Sequence, residues 1–157
     1  MREYMNIRLS YEAKLWIEKI QNKIQEKLDD EISTVEQYEI ETLIKDYLKE
    51  KNAILSGVSI TNILKVSTSS VIEDACYSTW DYSLDKWLEI DEKMQKYSFK
   101  SDIEVGSLTP KLYLEKSVVE RLKKYQKDFM KDSMVRVVKM SYVIKVVVFA
   151  HYLKLID

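Results

Sequence analysis

Residues 135–153 read VRVVKMSYVIKVVVFAHYL, and no other stretch of the chain is so plainly built for burial. From Val137 to His151 the polar side chains Lys139, Ser141, Lys145 and His151 all fall on odd numbers. The even positions (Val138, Met140, Tyr142, Ile144, Val146, Val148, Ala150, Tyr152) are wholly apolar. Period two is the pattern of a strand with one dry face, and seven valines within residues 135–149 add β propensity. The segment therefore predicts one strongly bent strand or a pair of strands. With helical patterns around it, the fold class is α+β, helices packed on a small, mostly antiparallel sheet centred on 135–153.

The chain has 157 residues, enough for a single domain with a sizeable core. No uncharged apolar run approaches the ~18 residues of a membrane span, and the N-terminus MREYMNIRLS lacks the apolar core of a signal peptide. One cysteine, Cys76, excludes an intramolecular disulfide, and with His151 as the only histidine it excludes a Cys/His zinc site. Two glycines, Gly57 and Gly106, exclude Gly-rich phosphate loops. The expected setting is cytoplasmic. The net charge of −1 conceals a gradient: residues 1–50 carry −4, 51–110 carry −3 and 111–157 carry +6. A polyanion should meet the last third.

In chain order, Tyr4–Leu9 predicts a short strand with Ile7 and Leu9 inward and Asn6 and Arg8 outward. Ser10 caps a helix burying Ala13, Ile17, Ile20, Ile24 and Leu28. Asp29–Asp30–Glu31 interrupts it, and Ser33-x-x-Glu36 opens a second helix to Lys49 with an Ile40, Leu43, Ile44, Tyr47, Leu48 stripe. Val58–Ser67 alternates like a strand, and Thr79–Tyr97 is helical with Trp80, Leu84, Trp87 and Met94 inward. Residues 98–110 hold Gly106 and the one Pro and read as a linker. Lys111–Glu115 is a strand, and Ser117-x-x-Glu120 caps a helix burying Val118, Leu122, Tyr125 and Phe129.

An ungapped offset of 105 places residues 7–49 on 112–154, matching Ile7 to Leu112, Leu9 to Leu114, Ile17 to Leu122 and Tyr47-Leu48-Lys49 to Tyr152-Leu153-Lys154. Strand, helix, turn and capped second helix over residues 6–48, echoed over 111–154, resemble a ribbon-helix-helix DNA-binding unit. In that family paired strands enter the major groove. The resemblance implies Asn6 and Arg8 as base readers, with phosphate held at the Ser33/Thr34 helix start. It also offers an alternative fold, a mainly α tandem ribbon-helix-helix in which 135–153 is helical.

Three further constellations bear on function. Lys116, Lys123, Lys124, Lys127 and Lys131 share one face of the predicted 117–131 helix, the footprint of phosphate-backbone binding. The plainer reading is a solvated face. Asp81, Asp85 and Glu89, with Glu92, share an arc of the 79–97 helix and could ligate Mg²⁺ in a nuclease. His151, Cys76, Trp80 and Trp87 read more simply as core. The leading expectation is a DNA-binding accessory or regulatory protein of a virus or mobile element, with no cofactor. A Mg²⁺-dependent nuclease on Asp81, Asp85 and Glu89, and an inhibitor or assembly factor that docks a basic protein, are the alternatives. A homodimer stays open.

Overall fold

The computed structural model describes residues 1–34, 66–97, 103–131 and 136–156, without the side chains of 31–34. The fold is α+β. Its elements in order are β1 (Arg2–Asn6), α1 (Tyr11–Thr34), α2 (Thr68–Ser78), α3 (Leu84–Lys96), β2 (Lys111–Glu115), α4 (Lys116–Asp128) and α5 (Met140–Ile156). The chain divides into two compact units, residues 1–21 with 67–157, and residues 22–66. Within the second, the Gln25 amide holds the Asp29 carboxylate one turn on and accepts from the Val66 N–H.

The larger unit is organised around α5, not around a sheet at 135–153, and this corrects the period-two reading. Val143, Ile144 and Val146–Tyr152 are all buried, so the helix is enclosed on nearly every side by α2, α3 and α4. Where no face is wet, polarity records no helical period, and the odd-numbered polar residues aligned by accident of spacing. Lys139 precedes the helix, Ser141 and Lys145 lie one turn apart on its less buried side, and His151 is inside. Valine costs a helix up to about 0.7 kcal/mol against alanine. Full burial of each such side chain returns about 1.5–3 kcal/mol, so packing overrides propensity. A helix also satisfies its own backbone, whereas a buried strand here would need ladder partners.

The sheet is an antiparallel ribbon of β1 and β2, with Tyr4 opposite Tyr113 and Asn6 opposite Lys111. Leu112 and Leu114 are fully buried, while Lys111 and Tyr113 between them face outward. The first strand runs from Arg2 to Asn6, shifted toward the N-terminus of the expected Tyr4–Leu9, so Ile7, Arg8 and Leu9 follow it. The expected burial still holds there: Leu9 is buried and Ile7 half-buried, against exposed Asn6 and Arg8. Two strands alone are marginal in water. The inner face of this ribbon is closed by helices, and β2 packs on α2 and α4.

Ser10 caps α1 as expected, its hydroxyl accepting from the Ala13 N–H at 3.2 Å. The helix buries Ala13, Ile17 and Ile20, with Ile24 and Leu28 half-buried. Asp29–Asp30–Glu31 does not break α1, which runs through Thr34. Acidic residues disfavour a late turn by only tenths of a kcal/mol, and no Gly or Pro stands there. Ser33 and Thr34 therefore lie in the last turn of α1, not at a helix start. The expected helix body at 35–49 and strand at 58–65 lie outside the described residues, but Ser67 is no strand residue. It is the N-cap of α2, accepting from the Ser70 N–H at 3.0 Å.

The predicted 79–97 helix is shorter. Thr79 closes α2 with its hydroxyl on the Ala75 carbonyl, and Ser83 caps α3. In the Ser117 box the capping bond is not made: α4 begins at Lys116, whose N–H donates to the Met1 carbonyl and so continues the ribbon. Residues 103–110 are tied down instead of hanging as a linker. Gly106 N–H donates to Glu18, Tyr11 to the Ile103 carbonyl and Leu9 N–H to the Leu108 carbonyl.

Two aromatic clusters weld the helices. Trp16 of α1 lies 4.8 Å from Phe149 of α5, with Tyr97 and Tyr152 around them. Trp87 of α3 lies 5.3 Å from both Tyr125 and Phe129. Trp87 is thus core, as expected, and Trp80 is half-buried under the Arg121 guanidinium, 3.9 Å from its ring. Among the described residues no helix is long and apolar enough to cross a membrane.

Candidate nucleic-acid interface

The alternation of β1 and β2 gives the ribbon an outer face of Arg2, Tyr4, Asn6, Lys111 and Tyr113, which Arg8 extends. Tyr4 and Tyr113 stack with centroids 4.4 Å apart across the strands. The Lys111 ammonium lies 4.4 Å from the Tyr4 ring, which fixes its direction without neutralising it. Tyr4 is 64% exposed and Tyr113 43%, and the Arg2 guanidinium lies 5.9 Å from the Tyr113 ring. Arg2 is already committed: its guanidinium pairs with Glu73 and Glu115 and donates to the Tyr113 carbonyl. Tyr77 donates to Glu115, which pushes its phenol pKa up. The end of the ribbon at Arg2 is therefore a closed polar network, while the other end, at Asn6 and Lys111 with Arg8 just beyond, carries the outward chemistry.

Of the lysines expected on one face, Lys116, Lys123, Lys124 and Lys127 lie exposed on α4, and Lys131 is exposed just beyond it. Lys124 reaches Asp128 at 3.9 Å. Lys116 to Lys127 covers about 16 Å at 1.5 Å per residue, opposite buried Val118, Leu122 and Tyr125. Lys116 stands at the junction of ribbon and helix, beside Met1, at the opposite end of the ribbon from Asn6 and Arg8. Lys111 and the tyrosine pair were absent from the expected set. Lys111 shows itself only when its partner across the ribbon is known.

The carboxylates expected to hold a metal do not share one helical arc. Asp81 lies in the turn before α3, Asp85 is exposed in its first turn, and Glu89 bridges Lys86 and Lys93 at 4.0 and 3.4 Å. Among the described residues no group of three His, Cys, Asp or Glu side chains converges to hold a metal. A cavity of about 420 Å³ opens beside α3 and α5, its lining including Leu84, Trp87, Phe129, Lys131, Lys139 and Val146.

His151 sits between α5 and α2, with Nδ1 3.0 Å from the Ser78 hydroxyl. Burial first, and Lys154 second, push its pKa below the ordinary histidine value. Among the described residues its Nε2 has no hydrogen-bond partner. Burial likewise pushes the Cys76 thiol up to about 12, the opposite of an activated nucleophile. Both side chains are buried in the core.

Comparison of the chain with protein-family models, with curated proteins and with solved structures finds no match.

Proposed function

We propose that the protein is a regulatory or accessory DNA-binding protein that lays the outer face of the β1–β2 ribbon in the major groove and grips flanking phosphates with the lysines of α4. The observation that carries this reading is the pairing of exposed Asn6 and Lys111 at one level of the ribbon, beside Arg8 and two exposed tyrosines. A two-stranded ribbon fits the major groove. Asn reads adenine, and Arg and Lys read guanine, by hydrogen bonds to base edges. Lysines on a rigid helix add affinity without sequence preference.

The test is a mobility-shift titration on duplex DNA over a range of salt. Replacing Lys123, Lys127 and Lys131 with Gln lowers the slope of log K against log salt by roughly 2–3 units, at about 0.9 per phosphate. Arg8→Ala and Lys111→Ala change that slope by at most ~1 and relax sequence preference. A triple lysine variant with the wild-type slope would remove α4 from the interface. Absence of duplex binding by the wild-type chain would remove the proposal.

A further inference from the structure

Resting on the DNA-binding reading above, we infer that a single chain supplies both halves of the reading ribbon, and that its target is one non-palindromic duplex site. The offset of 105 that relates the two sequence halves carries Asn6 onto Lys111, and these two residues lie directly opposite each other in the ribbon. Only a two-fold axis through that pair brings each position of an antiparallel ribbon onto its own counterpart.

The same offset carries Tyr11, the first residue of α1, onto Lys116, the first of α4. It carries buried Leu9, Ala13, Ile17 and Ile20 onto buried Leu114, Val118, Leu122 and Tyr125. Main-chain bonds keep this register beyond the strands, from Lys116 N–H to the Met1 carbonyl (2.9 Å) at one end to Leu9 N–H to the Leu108 carbonyl (2.7 Å) at the other. The chain thus builds by itself a frame with two related halves. On the far edge of β2 the Tyr113 N–H is taken by the Ser69 hydroxyl at 2.9 Å, so a strand from another copy finds that position closed.

The backbone frame is two-fold, but the side chains on its outer face are not. Across the axis Asn6 answers to Lys111, Arg8 to Tyr113 and Tyr4 to Thr109. One half presents an adenine reader and a guanine reader. The other presents an ammonium and a phenol ring. A duplex offers the same groove geometry to each half, so unequal side chains select unequal half-sites.

The experiment is selection from a pool of random duplexes, followed by sedimentation of the wild-type complex and by repeat selection with Arg8→Ala and Lys111→Ala. The expected result is one chain per duplex and a consensus without inverted repeat. Each variant loses discrimination by roughly ten- to a hundredfold, Lys111→Ala at the centre of the site and Arg8→Ala to one side of it, with melting temperatures unchanged. Two chains on an inverted repeat, or loss at the same base pairs in both variants, would overturn the inference. So would binding without sequence preference, which leaves DNA binding itself standing. Failure to bind any duplex would instead strike the DNA-binding reading first.

Discussion

Helices α4 and α5 are consecutive in the chain and packed on one another, yet they meet water in opposite ways. On α4 Val118, Val119, Leu122 and Tyr125 are buried and a lysine-rich face is wet. In α5 nine residues between Val143 and Tyr152 are buried, and Lys145 alone interrupts them. The difference separates two tasks. A helix enclosed by its neighbours contributes packing and offers little to a partner, while one that spends half its circumference on solvent can carry charge outward at small cost to the fold. Stability should be concentrated in α5, and binding on α4 and the ribbon it adjoins.

The largest effect expected from this contrast is in α5. Phe149→Ala leaves a cavity against Trp16 and Tyr97 and should cost about 3–5 kcal/mol in denaturant melts. A loss under 1 kcal/mol would mean that α5 is not the centre of the core. Next, Cys76 is fully buried in α2, near Arg121 and Tyr125 of α4, with its pKa raised to about 12. Its labelling by a thiol reagent at neutral pH should wait on unfolding and so speed up in step with destabilisation by Phe149→Ala. Labelling at the free-thiol rate in the native protein would show the core around α2 to be open.

The third effect is smaller and depends on pH. His151 takes a proton less readily folded than unfolded, so the unfolded chain binds more protons once the pH drops below its ordinary value of 6.5. Stability should be complete above that value, decline as pH falls from it through the depressed folded pKa, and level off below. His151→Phe should flatten that part of the profile. An unchanged profile would assign the acid sensitivity to other groups. The smallest effect is on the wet side of α4. Lys123→Gln with Lys127→Gln should move stability by no more than tenths of a kcal/mol, and a loss comparable with Phe149→Ala would erase the contrast.

The same contrast explains which elements could be read in advance. The helix at 116–128 and the strand at 111–115 each have one wet and one dry face. Their periods of 3.6 and 2 were therefore printed in the order of polar and apolar residues, and the buried residues expected there, Val118, Leu122, Leu112 and Leu114, are buried. The α+β class, the Ser10 cap and the exposed lysines follow from local chemistry in the same way. The helix Thr68–Ser78 went unseen because its first turn, TSS, reads as loop until Ser67 is recognised as a cap.

Sequence by itself determined the amphipathic elements, the basic last third and the echo at an offset of 105, because each is carried by neighbouring residues or by simple repetition. Tertiary structure alone decided that 140–156 is a helix, since a segment surrounded by other helices has no wet face to mark its period, and the self-satisfied backbone of a helix suits such burial. It alone decided that β1 pairs with β2 across more than a hundred residues, setting Lys111 opposite Asn6. Register between distant strands is fixed by the helices that bury their inner faces, and no local pattern records it.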